Sequence, residues 1–242
     1  MTNIRSSVST PLVATMLIAA CFGTSGCGRH HRSQSSNHSS QTEAAEPANT
    51  RDVRDSGPIA EDELESLLLT ADQMSRATGI DGLTAEKIDK TLDDKSRVTK
   101  GNVACKRLFG ASPSGYADAT AMRSQVFDDS ADSRRATNSV TLYPSAHGAA
   151  ELLEFDAKSV KSCANKEFTV TFADGQTERQ TISSVSETDG VLTNKLTYES
   201  DAGDGKSAEA QMAVDNVIIY AEADTVAIAT KIVKQIADNL KN

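Results

Sequence analysis

The sequence predicts an α+β domain in which an antiparallel β-sheet has helices packed on one face. In the second half of the chain, short segments of alternating apolar and polar residues are separated by turn signals such as Asp174-Gly175 and Asp189-Gly190. Asp-Gly pairs are typical of tight hairpin turns, so successive strands are expected to be antiparallel neighbours. Segments with helical spacing precede and follow these strands, which is the pattern of an α+β fold.

Two short helices are predicted before the first strand. Thr70 and Gln73 form a capping-box pattern and Gly79 supplies a stop, which predicts a helix over 71–78. Another short helix is predicted over 102–109, a segment that contains Cys105. Between these helices, residues 84–92 fit either a strand or a short helix.

The rest of the domain is predicted to hold seven strands and two longer helices. The strands are expected over 120–127, 137–143, 168–172, 181–186, 191–198, 209–214 and 217–221. Pro144 ends the second strand, and Ser145 caps a helix that extends to Cys163. A closing helix is predicted over 225–240. The segment DAGDGKS is expected to be a hairpin connection, because it lacks the spacing of a phosphate-binding or EF-hand loop.

The first 26 residues have the features of an export signal. Arg5 precedes an uncharged apolar run of ten residues, Pro11 to Ala20. A helix needs about 20 apolar residues to span a bilayer, so this run fits a signal-peptide core better than a membrane anchor. The protein is therefore expected to be exported.

Two cysteines lie in patterns that resemble the bacterial lipobox, in which the thiol receives a diacylglyceryl group. Ile18 favours Cys21, because an aliphatic residue is preferred three positions upstream. Gly28 and cysteine parity favour Cys27, because cleavage before Cys21 would leave an odd thiol in an oxidising compartment. Cys27 is the predicted lipidation site, Cys21 is the alternative, and secretion without an anchor is the third interpretation.

Residues 27–58 are predicted to be a disordered linker and residues 59–242 to be the folded domain. The linker is rich in Ser, Asn, Gln and Thr and nearly lacks aliphatic residues, so it buries too little apolar surface to offset its ordering entropy. Its three histidines are expected to be solvated. The predicted location is the extracytoplasmic face of the cell membrane, with the N-terminal lipid as the contact to the membrane.

The charge of the chain argues against nucleic acid as a partner. The formal net charge is −9, and residues 59–242 carry 20 basic and 30 acidic side chains. Nucleic-acid binding needs a basic surface to neutralise phosphates. The same acidity makes anionic lipid headgroups poor partners for the domain itself.

Cys105 and Cys163 form a cysteine pair inside the predicted domain. They lie 58 residues apart on predicted helices in a protein that is expected to be exported. A disulfide that closes so long a loop contributes roughly 4 kcal/mol in the chain-entropy picture. The absence of a CxxC motif and of a nearby His argues against a metal site, so we expect a structural disulfide.

Four segments resemble, in order and spacing, the PknH-like extracellular sensor domain family of mycobacteria and their relatives. The similarity extends from about Leu67 to Leu240. The segments are LLLTADQMSRATG, the Cys-x₂-Leu-Phe-Gly stretch over 105–110, SVTLYPSAHGAAELLEFDAKSVKSCA and MAVDNVIIYAEADTVAIATKIVKQIADNL. Members of this family occur at the outer end of a transmembrane kinase and in many lipoproteins.

The resemblance implies an antiparallel sheet lining a large cleft for an unidentified ligand, in a domain that is not an enzyme. This sequence departs from the family in two places. A second disulfide usually brackets the last strand pair, where this chain has Ala208 or its neighbours and Ala223 or Asp224. A Trp usually precedes the second Cys of the first pair, and residues 159–161 replace it. We therefore expect a loosened sheet edge at the last strand pair and fewer aromatic residues in the cleft.

Candidate cleft contacts are Tyr116, Tyr143, His147 and Tyr198. Packing within the sheet is the alternative for each tyrosine, as it is for Tyr220. His147 lies at the N-terminus of a predicted helix, where the helix dipole disfavours the imidazolium form. No G-x-S-x-G motif accompanies it. An acidic side chain within reach of His147, beside a Ser, would favour an enzyme.

The sequence thus predicts a lipid-anchored, extracytoplasmic sensor that binds a small-molecule or cell-envelope ligand. No catalytic residue, metal site or cofactor is expected. The first alternative is a scaffold that contacts another envelope protein through the sheet edge that lacks its second disulfide. The second alternative is a cell-envelope hydrolase.

Overall fold

The strands of this protein pair in the order β1-β3-β4-β9-β8-β7-β6-β5-β2, and every pairing is antiparallel. The computed structural model describes residues 58–92, 96–106, 108, 119–129, 134–172, 174–201 and 203–240. The predicted signal peptide, both candidate lipidation cysteines, the linker up to residue 57 and Tyr116 lie outside these ranges. The strands are β1 (Thr84–Ala85), β2 (Arg97–Lys100), β3 (Ala121–Asp128), β4 (Arg135–Leu142), β5 (Glu167–Thr171), β6 (Thr177–Thr188), β7 (Val191–Ser200), β8 (Gly203–Val214) and β9 (Val217–Ala223).

The described ranges also contain five α-helices, preceded by a short 3-10 helix over Glu61–Glu63. They are α1 (Leu64–Leu67), α2 (Ala71–Thr78), α3 (Val103–Lys106), α4 (Ala146–Cys163) and α5 (Val226–Asn239). Within the described residues, no helix is long and apolar enough to cross a bilayer.

Strand β9 lies in the middle of the sheet and is buried on both faces. Val217, Ile219 and Ala221 point to one face, where they pack with the α5 residues of the largest apolar cluster. Ile218 points to the other face and packs with Ala149 and Leu152 of α4. We call these the α5 face and the α4 face, and successive residues of a strand alternate between them.

The two faces have separate cores. On the α5 face, α5 packs against α2 and strands β7, β8 and β9. On the α4 face, α4 crosses β9, β8 and β6 and contacts α3. The disulfide between Cys105 and Cys163 joins α3 to α4, and both cysteines are fully buried beside Phe168 and Val170 of β5. The predicted disulfide is therefore present in the structure.

The α+β class and the antiparallel sheet are confirmed, but the prediction of helices on one face is wrong. Helices cover both faces because β9 is apolar at nearly every position, and each of its faces must be shielded from water. The prediction that the last strand pair forms a sheet edge is also wrong. Strand β9 returns to pair with β4, so the β8–β9 pair lies inside the sheet, and the edge strands are β1 and β2.

Local capping signals placed the helices accurately. The Thr70 hydroxyl accepts a hydrogen bond from the Gln73 backbone N–H at 3.3 Å, and the Gln73 side chain accepts one from the Thr70 N–H at 2.8 Å. Gly79 has a φ of 75°, the left-handed conformation that favours glycine at a helix end. The helix over 71–78 is thus confirmed, and α4 begins directly after Ser145, as predicted.

Some strands extend further than predicted. Strand β8 begins at Gly203, so most of the DAGDGKS segment is strand rather than hairpin connection. The first five residues of β8 are exposed or half-buried, and apolar and polar residues do not alternate among them. Because that alternation is the pattern that predicts a strand, this part of β8 was not predicted. Residues 84–92 form a two-residue strand and one bridge, Asp89 to Ser124, instead of a longer element.

Candidate functional site

Four central strands meet at one end of the α4 face and form a pocket. It contains the beginning of β4 and β8 and the end of β7 and β9, because antiparallel pairing brings these ends together. The pocket has a volume of about 200 Å³. Side chains in its wall include those of Arg134, Arg135, Thr137, Tyr198, Ser207 and Glu222. The wall combines both signs of charge with hydroxyl groups.

Tyr198 reaches into this wall because the residue opposite it is a glycine. Tyr198 of β7 pairs directly with Gly205 of β8. A Cβ atom at Gly205 would overlap the Tyr198 ring, so the ring lies against the bare backbone. Any larger residue at 205 would displace the tyrosine from the pocket wall.

At the pocket wall, two glutamates face each other across β8 and β9, and Glu222 is the one that lines the pocket. Glu209 and Glu222 are direct cross-strand partners on the α4 face. The Tyr220 hydroxyl donates a hydrogen bond to Glu209 Oε1 at 3.0 Å, and Asn194 Nδ2 donates one to Glu209 Oε2 at 2.8 Å. Ser207 Oγ lies near the Glu222 carboxyl, but outside ordinary hydrogen-bond geometry.

Burial makes the charge on these carboxyls costly. Burial, and then the negative charge of Glu209, raises the pKa of Glu222 to about 7. Burial also raises the pKa of Glu209, against the opposing effect of its hydrogen bonds from Asn194 and Tyr220. The pKa of Glu178, on the neighbouring strand β6, is raised by burial as well. The pair therefore holds a proton at a pH where exposed glutamates are ionised.

Arg135 connects the pocket to acidic groups at the sheet edge. Its Nη2 lies 3.5 Å from Glu86 Oε1, and its Nε lies 3.4 Å from Asp128 Oδ1. Hydrogen bonding to Asp128, followed by burial, raises the pKa of Glu86. The neighbouring Arg134 is paired with Asp129 at 3.0 Å. The positive charge of Arg135 is therefore shared among several carboxylates and is only partly available to Glu222.

The structure brings only one of the described cleft candidates into this pocket. Tyr198 lines it. Tyr143 is buried elsewhere, in the apolar cluster between α4 and β9, and is only 3% exposed. His147 lies on the outer surface of α4, with 81% of its side chain exposed. Tyr143 and His147 therefore do not share a site with Tyr198.

An acidic side chain does lie beside His147, which is the arrangement that would favour an enzyme. His147 Nε2 is 3.2 Å from Glu151 Oε1, one helical turn away on α4. The nearby Ser145 hydroxyl accepts a hydrogen bond from the Gly148 N–H and caps the helix. His147 and Glu151 thus form an exposed pair on the helix surface, and Ser145 has a structural function.

Glu209, Glu222 and Arg135 are functional candidates that were not predicted from the sequence. Glu209 lies between two alanines, and Glu222 follows the apolar run VIIYA and precedes another alanine. A carboxyl within a predicted buried strand is a signal that could have found them, because burying a charge is unfavourable without compensation. Over the described ranges, no group of three or more His, Cys, Asp or Glu side chains is arranged to hold a metal ion.

Comparison with known proteins assigns the domain. Residues 59–240 match the model of the PknH-like extracellular domain family. The chain belongs to this family. A PknH-like extracellular domain is of the extracytoplasmic sensor type and is distinct from a kinase catalytic domain.

One solved structure supports the PknH-like fold. The structure matches the extracellular domain of PknH from Mycobacterium tuberculosis with a TM-score of 0.63 at 23% identity, over 76% of this chain and 97% of that chain. An uncharacterized protein from Mycobacterium smegmatis matches with a TM-score of 0.39 at 8% identity, over 69% of this chain and 93% of that chain. No curated protein matches the chain.

Proposed function

We propose that this PknH-like protein is a lipid-anchored, extracytoplasmic protein that binds a small polar ligand without catalysis. The observation that carries this proposal is the pocket of about 200 Å³ at the end of the α4 face. Binding sites combine a shaped cavity with a few fixed polar groups, and Tyr198, Ser207 and Glu222 supply such groups here. The ligand is expected to carry hydrogen-bonding groups.

Native mass spectrometry tests ligand binding. The full chain is purified from its own envelope and examined for a retained small molecule. In Ser207→Phe the added ring fills part of the pocket, so the retained mass should be lost. Thr197→Phe is the matched control, because Thr197 is exposed and precedes Tyr198 on the opposite face of β7. A wild-type protein without a retained molecule, or equal retention in both variants, would contradict the proposal.

The lipid anchor is tested separately by labelling with a fatty-acid probe. We expect Cys27→Ala to abolish labelling and Cys21→Ala to leave it unchanged. Labelling lost only in Cys21→Ala would move the anchor to Cys21. Labelling that survives in both single variants, and in the double variant, would contradict attachment at either cysteine.

A scaffold that docks through an apolar surface is less well supported by the structure. Within the described ranges, Val103 is the large apolar side chain that remains exposed, at 70%. One such residue does not make an apolar docking patch. The sheet interior, where β8 and β9 lie, offers no free edge for strand addition.

A further inference from the structure

We propose that Glu222, Tyr220 and Glu209 form a hydrogen-bonded relay that holds one proton between its two carboxyls. The pH outside the cell membrane would then set the charge of the pocket wall. The arrangement is fixed by the register of β8 and β9, which places the two glutamates directly opposite each other. Like charges in direct cross-strand positions are destabilising, and more so when buried. One proton between the two carboxyls removes this repulsion.

Hydrogen-bond donors identify which carboxyl holds the proton. Glu209 accepts hydrogen bonds from Tyr220 Oη and Asn194 Nδ2, so it is the carboxyl best suited to carry the negative charge. Tyr220 interacts with both Glu209 and Glu222. Its single hydroxyl proton is donated to Glu209, so toward Glu222 it can only accept. A protonated Glu222 supplies that donor, and the chain then runs from the Glu222 O–H through Tyr220 to the Glu209 carboxylate.

Burial, and then the neighbouring carboxylates, keep the proton on the pair at near-neutral pH. Arg135 of β4 favours ionisation of Glu222, whereas Glu209 of β8 and Glu178 of β6 oppose it. Ser207 and the Tyr198 phenol complete the nearby wall, and the pocket also contains Arg134, Lys206 and Asp224. Arg135 is already engaged with Glu86 and Asp128, which weakens its effect on Glu222. Burial remains the largest influence on the Glu222 pKa.

The proton has a defined consequence for the pocket. When the pH rises through about 7, Glu222 releases its proton to solvent and the wall gains one negative charge. The folded state holds this proton more tightly than the unfolded state, so its stability should fall as the pH rises from about 4.5 to about 7. An effect of this charge on which ligand binds rests on the proposed function. The titration of Glu222 itself needs no ligand.

The test is a carboxyl titration by carbon-13 NMR on the ligand-free full chain labelled at glutamate. One carboxyl resonance should titrate near pH 7, vanish in Glu222→Gln, and titrate at lower pH in Glu209→Gln, where the opposing charge is gone. Glu199→Gln is the control, because Glu199 is an exposed strand carboxyl paired with Arg179. It should leave the near-neutral resonance unchanged.

Two results would overturn the relay. One is a wild-type protein in which every glutamate titrates below about pH 5.5, which decides the matter even if a variant fails to fold. The other is a near-neutral resonance that persists in folded Glu222→Gln. A wild-type titration near pH 7 without any retained small molecule would sustain the relay while contradicting ligand binding, so the two proposals fail separately.

Discussion

Asp156 and Tyr143 lie together in the core between α4 and the sheet, where burial, and then the charge of the Asp156 carboxyl, raises the pKa of Tyr143. Asp156 is only 3% exposed, and its Oδ1 has no hydrogen-bond partner. Burial raises the pKa of Asp156 from 3.8 to about 8. At neutral pH, α4 therefore carries a buried, protonated carboxyl on the side that faces the sheet.

Asp156→Asn should stabilise the protein at alkaline pH. Because the pKa of Asp156 is raised, its contribution to stability is fully present below about pH 4 and is lost as the pH rises to about 8, since the folded state must then retain the proton or bury a charge. The neutral amide removes this dependence, and we expect a gain of about 1–3 kcal/mol at pH 9, as for other unsatisfied buried groups. Urea unfolding across this pH range measures both effects.

Glu154→Gln is the control for this experiment. Glu154 lies on the same helix but is exposed, and its hydrogen bond with Lys158 lowers its pKa. Its replacement should leave the alkaline loss of stability in place. An Asp156→Asn protein with the same pH profile as wild type would show that Asp156 is ionised in the folded state.

Removal of the disulfide should destabilise the α4 face. Replacing Cys105 and Cys163 by Ala opens a loop of 58 residues and frees α3 from α4. Crosslinks of this kind contribute about 2–4 kcal/mol, so the unfolding midpoint in urea should fall accordingly. Reducing agent should lower the wild-type midpoint to the same extent and leave the double variant unchanged. A loss below about 0.5 kcal/mol would indicate that packing alone holds α3 in place.

Asn216 should be the most costly polar residue to truncate among the turn residues described. Its Oδ1 accepts from the Ile59 N–H at 2.8 Å, and its Nδ2 donates to the carbonyls of Ile59 and Tyr143, both at 3.1 Å. These bonds attach the start of the domain to the β8–β9 turn. Asn216→Ala should cost about 2–3 kcal/mol in urea unfolding.

Two further variants separate hydrogen bonding at Asn216 from side-chain volume. Asn216→Asp keeps the shape and the acceptor but removes the donors, so it should cost at least as much as Ala. Gln176→Ala, an exposed amide, should change stability by less than about 0.5 kcal/mol. A tolerated Asn216→Asp would mean that the Ile59 and Tyr143 carbonyls are not bonded to this side chain.

Ala208 and Ala223 should accept a new disulfide. They are direct cross-strand partners, both buried, at the positions where the family resemblance expects a second bridge. The double Cys variant should oxidise spontaneously and gain about 1–3 kcal/mol, because engineered bridges often deliver less than the chain-entropy value. Ala210→Cys with Ala223→Cys is the offset control, since Ala210 pairs with Ala221 instead. Equal oxidation of both pairs would contradict the register.

Short-range signals in the sequence were sufficient for the helices and for most strand cores. The capping groups Thr70 and Ser145 act on backbone N–H groups within three residues, so the helix starts follow from local chemistry. Hairpin turns follow from Asp-Gly pairs for the same reason. The pairing of Cys105 with Cys163 was predicted from the export signal and from the even number of cysteines that remain free once Cys27 carries the lipid. Both are visible in the sequence itself.

The pocket and the carboxyl pair depend on information that is not local. Alternation shows that Glu209 and Ser207 share one face of a strand, but it does not show which strand lies beside them. The insertion of β9 between β4 and β8 places Glu222 opposite Glu209 and Arg135 nearby. Local propensity carries no signal for this long-range pairing.

By itself, the sequence determined the α+β class, the capped helices, the family resemblance and the disulfide. The first three depend on patterns among residues that are near each other in the chain, and the disulfide depends on the chemistry of cysteine in an exported protein. Only the tertiary structure decided that helices cover both faces, that the last strand pair lies inside the sheet, and that two buried glutamates oppose each other. These features arise from strand order and register, which are set by the packing of residues far apart in the chain.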